Sequence, residues 1–539
     1  MTRLFRTTGG ARRGAAAALA LLAAAACTDV TTEPRSAISN NNVFGDPSAY
    51  RAAVAKLYGT LALSSQTGPG EADIQGIDAG FGQYLRLLWN LQQLPTDETV
   101  LAWNDQSAGV QDLNTQLWTP ANGSLAAMYA RIMLQATLAG EFLRQTADDQ
   151  LATRNVSTAL RADIARYRAE ARFLRALSYW HAIDLFGSVP LVTESTPVGA
   201  AAPPQVTRQQ LFDFVVSELQ TIRTELPAAN RADATQYGRA TQAAADMLLA
   251  KLYLNAAVYT GSPRWADAQA AAQRVIASGA FTLDPSYQRL FLADNHTSPE
   301  FVFTVPQDGA RTQNFGGTTY LAHAPIGNRL NDNATRDFGI DGGWFGLRAR
   351  PEFVTLFTGL GADRRGAIIF GEGQTLNISS LTEFGQGYLV PKYRNVTSSG
   401  RGGSDLTFAD IDYPMFRLAD AYLMYAEAAV RGNASAADRA TALGYVNALR
   451  TRAAAPTIAD AQLTADFLLD ERARELYWEG HRRTDLVRYG RFTGGAKVWQ
   501  FKGNAQVGTA TPDFRNLFPL PAQELTANPG LTQNPGYGG

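Results

Sequence analysis

The chain has 539 residues, of which 45% are hydrophobic and 18% are charged, so it can bury a substantial apolar core. Its 48 basic and 49 acidic residues nearly cancel and its basic clusters are short, which excludes the charge pattern of a nucleic-acid-binding protein. The single cysteine, Cys27, excludes an internal disulfide. The four histidines lack the spacing of metal ligands, so the sequence indicates neither a bound metal nor a cofactor.

The N-terminal segment has the pattern of an export signal. Four arginines between Arg3 and Arg13 precede an apolar stretch over 15–26, which is shorter than the about 20 residues that a membrane-spanning helix needs. The stretch ends in three alanines and Cys27, which resembles the lipobox of bacterial lipoproteins, where the cysteine becomes the lipidated N-terminus. We therefore predict a signal peptide over 1–26 and lipidation at Cys27. An ordinary cleavage signal followed by an incidental cysteine is the alternative.

Helix signals dominate residues 40–280. Asp46 followed by Pro47 is typical of an N-cap with proline in the first turn. Thr207 and Gln210 have the spacing of a capping box, which opens a helix that we expect to run to about Leu226. Further helices are predicted over 169–186, 243–259, 265–278, 417–430, 436–452 and 464–479. Large and small residues alternate as in tetratricopeptide helix pairs but without a fixed period of about 34 residues, which predicts a mainly α protein built as an irregular α-α superhelix.

The composition changes between residues 281 and 413, where glycine pairs interrupt short apolar runs. The segment from Phe301 to Val305 predicts a strand, and only Pro351 to Phe357 has a helical pattern. We interpret this region as ordered loops with short β-hairpins inserted into a helical scaffold over about 40–280 and 414–490, which a proline-rich tail follows over 491–539. Long ordered loops in a compact protein usually carry function, so we expect this insertion to be functional.

Several diagnostic sequence blocks follow one another along the helices and the tail. They are Ala169–Trp180 with Phe186–Leu191, Gly238–Thr241 with Ala250–Asn255, Tyr422–Ala428 with Asn447, Arg450 and Arg452, Asp470–Arg488, and Phe518–Pro521 with Gln533–Tyr537. In this order they resemble the SusD/RagB family of nutrient-uptake lipoproteins. The resemblance implies that residues 27–539 form a single SusD-like domain. Asp420 stands where that family commonly has glutamate.

The resemblance also implies a function. Such proteins are outer-membrane lipoproteins that face the cell exterior, capture an oligosaccharide or peptide, and pass it to a SusC-like TonB-dependent transporter. They are not enzymes and use no cofactor. The alternative that we keep open is an exported glycan-processing hydrolase.

Acidic clusters provide the candidates for chemistry. Glu475 and Glu479 lie one helical turn apart and could form an acid/base pair. We favour structural ion pairs instead, Asp470 with Arg474 and Glu479 with Arg483, because arginine lowers the pKa that a general acid needs. A separate stretch of loop acids could hold calcium, but its spacing matches no EF-hand and solvated side chains are the preferred interpretation. These loop acids are Asp332, Asp337 and Asp341.

Aromatic residues in the loops are the candidates for ligand binding. A sugar presents apolar C–H faces and a rim of hydroxyls, so flat rings flanked by polar side chains suit it. The segment around Trp103 resembles the early ligand-contact loop of the family, and the insertion is where its other ligand aromatics usually lie. Each ring could instead anchor a loop to the scaffold. The candidates are Trp103, Asn104, Asp105, Tyr320, Asn328, Arg329, Trp344 and Phe345.

Overall fold

The computed structural model describes residues 43–196 and 203–538, in which α-helices predominate. The predicted signal peptide and Cys27 lie outside the described residues, and the packing described below is that of residues from Tyr50 onward. The helices are α1 (Pro47–Ala62), α2 (Tyr84–Gln93), α3 (Val110–Thr115), α4 (Gly123–Gln145), α5 (Asp148–Thr153), α6 (Thr158–Leu185), α7 (Arg208–Ile222), α8 (Gln242–Leu254), α9 (Ala256–Thr260), α10 (Trp265–Ala277), α11 (Gly317–His323), α12 (Pro351–Val354), α13 (Leu418–Arg431), α14 (Ala436–Arg452), α15 (Ala465–Leu476), α16 (Arg482–Arg488) and α17 (Ala522–Ala527).

The helices pack as one continuous array. Going through the array, α4 packs on α6, α6 on α7, α7 on α8, α8 on α10, α10 on α13 and α13 on α14. Helix α13 therefore follows α10 in space, although the loop region separates the two in sequence. The buried face of α10 consists of Ala268, Ala271, Ala272 and Val275, and these small side chains let its neighbours approach closely. The prediction of an irregular α-α array is confirmed.

Local capping accounts for several helix boundaries. The Thr207 hydroxyl accepts a hydrogen bond from the Gln210 backbone N–H (3.2 Å), and the Gln210 side chain accepts one from the Thr207 N–H (2.9 Å), so the predicted capping box is confirmed. Helix α7 ends at Ile222, before the expected Leu226. The helix predicted over 243–259 is divided at Asn255 into α8 and α9.

Two small antiparallel sheets join distant segments. Strand β1 (Thr99–Leu101) pairs with β3 (Leu347–Ala349), and β2 (Phe301–Val305) pairs with β4 (Tyr413–Arg417). The predicted strand over Phe301–Val305 is confirmed, but neither pair is a local hairpin. Within the loop region, α12 and the 3-10 turn after it match the predicted helix over 351–357, whereas α11 was not predicted. The two ends of the loop region are thus joined to each other by β2 and β4, and its middle is joined to the scaffold by the pairing of β3 with β1.

Helix α15 carries buried carboxylates that pair across the fold. Glu475 lies 2.7 Å from Arg417 and 3.1 Å from Arg365, and it also pairs with Arg452. Glu479, just beyond the helix, lies 2.6 Å from Arg417 and 2.8 Å from Lys392. Burial alone raises the pKa of Glu475, but the surrounding guanidinium groups outweigh it and lower this pKa to about 2. Both carboxylates are therefore ionised and serve as structural partners.

The predicted partners of these acids are wrong, although the structural interpretation is correct. Arg474 pairs with Glu471 at 2.9 Å instead of Asp470. Arg483 pairs with Asp184 at 3.0 Å instead of Glu479. Arg474 still pairs within its own helix, at a spacing of three residues instead of four, whereas burial of the block brings Arg483 against Asp184 on α6.

We expect Arg417→Met to lower the free energy of unfolding by about 3–5 kcal/mol, because it leaves Glu475 and Glu479 buried with one fewer counter-charge. Urea unfolding followed by circular dichroism measures the change. The matched control is Arg166→Ala, which breaks an exposed pair with Asp163 and should change stability by less than about 1 kcal/mol. Equal effects of the two substitutions would contradict the structural role of the network.

Candidate functional site

Strands β1 and β3 bring Trp103 and Trp344 together. Leu101 lies opposite Leu347, and the Ala102 N–H donates to the Gly346 carbonyl (2.9 Å), so the residues beyond this end of the sheet are neighbours. The Trp103 indole N–H donates to the Trp344 carbonyl (2.9 Å), and the two ring centroids are 6.4 Å apart. A Cβ at position 346 would lie 2.7 Å from the Trp103 ring, so only glycine allows the indole to lie across the backbone here.

Four rings form an aromatic platform at this point, which we define as Phe81, Trp103, Phe315 and Trp344. The Phe81 centroid is 6.2 Å from that of Trp103, and the Phe315 centroid is 6.5 Å from that of Trp344. Phe315 is 37% exposed, and the other three rings are half-buried. Each ring is held by its neighbours while part of it faces solvent, so the platform can contact the apolar face of a ligand.

A buried arginine supports the platform from below. The Arg86 guanidinium lies 3.8 Å from the Phe81 centroid and 4.2 Å from the Tyr320 centroid, and it donates to the Phe315 carbonyl (3.1 Å). Within the described part of the chain its Nε has no hydrogen-bond partner. Burial lowers the pKa of Arg86 to about 10, against the raising effect of Tyr320 and nearby carboxylates including Asp105, so the group stays charged at neutral pH. Cation-π contact with two rings fixes their orientation.

Polar side chains flank Trp103. Asn104 is exposed, and the amide is free to face a ligand. One oxygen of Asp105 accepts hydrogen bonds from the Ser107 hydroxyl (2.6 Å) and the Ala108 N–H (2.9 Å). The bond from Ser107 lowers the pKa of the Asp105 carboxyl, which is therefore ionised at neutral pH. These groups place an amide and a carboxylate beside the platform.

Tyr320 does not have the role that the sequence indicated. It lies on α11, its side chain is fully buried, and its hydroxyl donates to Asn90 (3.1 Å). Its ring packs 5.9 Å from Trp103 and beneath the platform. Tyr320 therefore supports the exposed rings and offers no free face to a ligand.

The remaining candidates form a second group. Phe345 is 40% exposed, and its ring centroid lies 5.2 Å from that of Phe384. Its φ of 53° lies in the left-handed region, which costs energy for a bulky side chain. Asn328 donates to the Gln374 side chain, and Arg329 pairs with Glu372 on the surface. The eight predicted residues thus divide between two neighbouring surface groups and one buried support.

The acidic residues that the sequence offered for catalysis or calcium binding are not arranged for either role in the part of the chain that the structure describes. Glu475 and Glu479 are fully buried and paired, so they line no open cleft. Asp337 pairs with Arg336, and Asp341 accepts a hydrogen bond from the Thr407 hydroxyl (2.6 Å). Throughout residues 43–196 and 203–538, no three acidic, histidine or cysteine side chains come close enough to hold a metal ion.

The late sequence block anchors the strand that leads to the platform. Two nitrogens of Arg482 donate to the two carboxylate oxygens of Asp97, each at 2.7 Å, immediately before β1. Glu98 accepts a hydrogen bond from the Trp478 N–H (3.2 Å). Arg350, just after β3, donates to the Thr99 carbonyl (3.0 Å). Charges on α16 therefore fix the position of the sheet that carries Trp103.

Phe81, Arg86 and Phe315 were not predicted from the sequence as residues of the site. Both phenylalanines stand beside glycines, in Gly80-Phe81-Gly82 and Phe315-Gly316-Gly317, a context that exposes a ring at a turn. A Cβ on Gly80 would lie 2.8 Å from Phe315, so these segments pack directly against each other. The signal existed in the sequence, but the pairing of the two turns depends on the tertiary fold.

Comparisons with known proteins assign the family. The SusD family model matches residues 369–537. The starch-binding protein SusD of Bacteroides thetaiotaomicron is 32% identical over 531 residues, which cover 89% of this chain and 91% of that protein. The chain belongs to the SusD family. SusD-like protein P25 of Formosa agariphila is 25% identical and covers 68% of this chain and 71% of its own length.

Solved structures show the same fold. Surface glycan-binding protein A of Bacteroides thetaiotaomicron, in complex with laminarihexaose, has a TM-score of 0.67 at 20% identity and covers 90% of this chain and 98% of that chain. The protein of the same name from Bacteroides fluxus has a TM-score of 0.68 at 22% identity and covers 90% of this chain and 99% of that chain. The relative that is 32% identical is named as a starch-binding protein, in agreement with the prediction that the chain is not an enzyme.

The anchor of β1 generates a pH prediction. Burial raises the pKa of Glu98 to about 8, and the charge of neighbouring Asp97 adds to this effect while Arg482 opposes it. Between pH 4.5 and 8 the folded protein keeps a proton on Glu98 that the unfolded chain has lost, so this group's contribution to stability falls as pH rises through that window. We expect Glu98→Gln to remove part of the fall in unfolding free energy between about pH 5 and 8.

Urea unfolding at several pH values measures this effect. The control is Glu71→Gln, which changes an exposed glutamate and should leave the slope of stability against pH as in the parent. Parallel curves for Glu98→Gln and the parent would show that Glu98 does not titrate in this way.

Proposed function

We propose that this protein is a cell-surface lipoprotein that binds an oligosaccharide on the aromatic platform and passes it to a SusC-like TonB-dependent outer-membrane transporter. In this proposal residues 27–539 form a single SusD-like domain, with residues 281–413 supplying most of the ligand face. The observation that carries the proposal is the platform itself, whose half-exposed rings are flanked by Asn104 and Asp105.

The chemistry of a sugar matches this surface. Its C–H faces are apolar and can stack on Trp103 and Trp344, while its hydroxyls can exchange hydrogen bonds with the amide of Asn104 and the carboxylate of Asp105. Each ring contributes about 1 kcal/mol beyond simple burial, so two or three rings provide selective but reversible capture. Reversibility suits a protein that must release its ligand to a transporter.

The relatives support the same class of ligand. One is named as a starch-binding protein, and another is a surface glycan-binding protein in complex with laminarihexaose. The lipobox-like end of residues 1–26 supports a lipid anchor at Cys27. In the part of the chain that the structure describes, no helix is long and apolar enough to cross a membrane. Copurification of a TonB-dependent transporter with the protein from native membranes tests the partnership.

We expect Trp344→Ala and Phe345→Ala each to weaken binding of maltohexaose or laminarihexaose about fivefold, because each removes a ring that is at least partly exposed on the ligand face. Isothermal titration calorimetry measures the affinity. The matched control is Phe214→Ala, which removes a half-buried ring from α7 on the scaffold and should leave the affinity unchanged. Parental affinity in both site variants would refute the site assignment.

A separate prediction concerns the anchor. Cys27→Ala should yield protein that is released from membranes and lacks the mass of an acyl group, because a lipidated cysteine is the proposed attachment point. Membrane fractionation and mass spectrometry of the intact protein measure both properties. Membrane retention of the Cys27→Ala variant would contradict lipidation at this residue.

A further inference from the structure

A cavity of about 450 Å³ opens beside the second group of candidate residues. Among its lining residues are Leu330 and Phe370, which pack against a cluster containing Phe384. Phe384 in turn contacts the exposed Phe345. The cavity is therefore a continuation of the proposed ligand face, although none of the eight predicted ligand-binding residues lines it.

Two arginines line this cavity without a carboxylate partner. The Nε and Nη2 atoms of Arg394 donate to the backbone carbonyl of Asp337, and Arg364 is exposed at the opening. In the described part of the chain, no carboxylate lies within ion-pair distance of either guanidinium. The Asp337 carboxylate also lines the cavity, but Arg336 holds it with two hydrogen bonds of 2.7 and 3.0 Å. The charge that remains unpaired in the cavity is positive.

Buried arginines elsewhere in the protein follow two patterns. Arg417 and Arg482 are paired with carboxylates, whereas Arg350 donates only to backbone carbonyls. Arg394 follows the second pattern, but it also lines an open cavity. Burial lowers the pKa of Arg394, and the charge of Asp337 opposes this effect without reversing it, so the compensation is incomplete. An anion in the cavity would supply that compensation, and charge-assisted hydrogen bonds to a guanidinium are among the stronger polar contacts in proteins.

The apolar part of the cavity limits the type of anion. Ile368, Ile369 and Phe370 are each partly exposed in succession, and Leu330 faces the same space. A small inorganic ion would leave these side chains uncovered. A ring with one apolar face and one charged substituent would cover them while its charge reaches the arginines.

We propose that this cavity binds a negatively charged sugar residue of an acidic oligosaccharide. Its carboxylate or sulfate ester is bound by Arg364 and Arg394, and its C–H face packs on Leu330, Ile369 and Phe370. The inference rests on the proposed function and assigns its substrate class: a glycan that carries oxyanions, with the charged residue in the cavity and adjoining residues over Phe345.

The experiment compares four probes by isothermal titration calorimetry with the purified protein. Hexagalacturonate carries carboxylates, a carrageenan hexasaccharide carries sulfate esters, and maltohexaose and laminarihexaose are neutral. We expect at least one acidic probe to bind more tightly than both neutral probes, with an affinity that falls as salt is raised. Preference for the first or the second acidic probe identifies the anionic group as carboxylate or sulfate.

Substitution of Arg364 tests the cavity itself. Arg364→Gln should lower the ratio of acidic to neutral affinity about tenfold, since it removes one charge-assisted contact. Its side chain is exposed and forms no hydrogen bond or ion pair with the residues that the structure describes, so the variant should melt at the parental temperature. The matched control is Arg401→Gln, an exposed arginine outside the cavity lining, which should keep the parental ratio. Arg394→Gln should also lower the ratio, provided that its thermal melt matches the parent.

Each outcome bears on a different claim. Binding of neutral probes without any preference for acidic ones would overturn the inference and leave the proposed function standing. A preference for acidic probes that Arg364→Gln and Arg394→Gln both leave unchanged would also overturn it. Failure of all four probes to bind would count against both the inference and the proposed function.

Discussion

The ion pair between Asp97 and Arg482 joins the helical scaffold to the ligand face. Arg482 begins α16, and Asp97 stands two residues before β1, so their two hydrogen bonds connect elements from opposite ends of the sequence. Arg482 and Lys497 hold the pKa of the Asp97 carboxyl well below its usual range despite burial. This contact therefore helps to position β1 and Trp103, which follows it.

Buried charges of this kind are costly, and their value lies in specificity. Removing two ions from water often costs as much as their attraction returns, so such a pair adds little net stability compared with well-packed apolar residues. A mispaired alternative, however, leaves a charge buried alone and is strongly disfavoured. In this fold Arg417 accommodates three carboxylates, those of Glu300, Glu475 and Glu479. The network therefore disfavours any arrangement of the loops around α15 that would leave one of these buried charges unpaired.

The parts of the structure that were predictable are those with local causes. The capping box at Thr207 and the strand over Phe301–Val305 depend on neighbouring residues, and both were predicted. The ion-pair partners of Glu479 were not, because the sequence shows only what lies one helical turn away. Tyr320 was misassigned for the same reason: an aromatic residue in a glycine-rich segment is indistinguishable from its neighbours until tertiary packing buries it. The family, by contrast, was recognisable because several sequence blocks on the packed helices follow one another in the order that is typical of that family.

Contacts within the protein hold the rings of the ligand face in place before a ligand binds. Arg86 lies against Phe81 and Tyr320, Trp103 is tied to the Trp344 carbonyl, and the backbone of Phe345 is kept at a positive φ that an isolated chain would avoid. Ordering a free side chain on binding costs about 0.5–1.5 kcal/mol, which is as much as one stacked ring contributes. A protein that captures ligand with only a few rings must therefore meet that cost during folding. The ion pairs that position β1 help to order these side chains during folding. The buried charges of the scaffold therefore contribute indirectly to the affinity for the ligand.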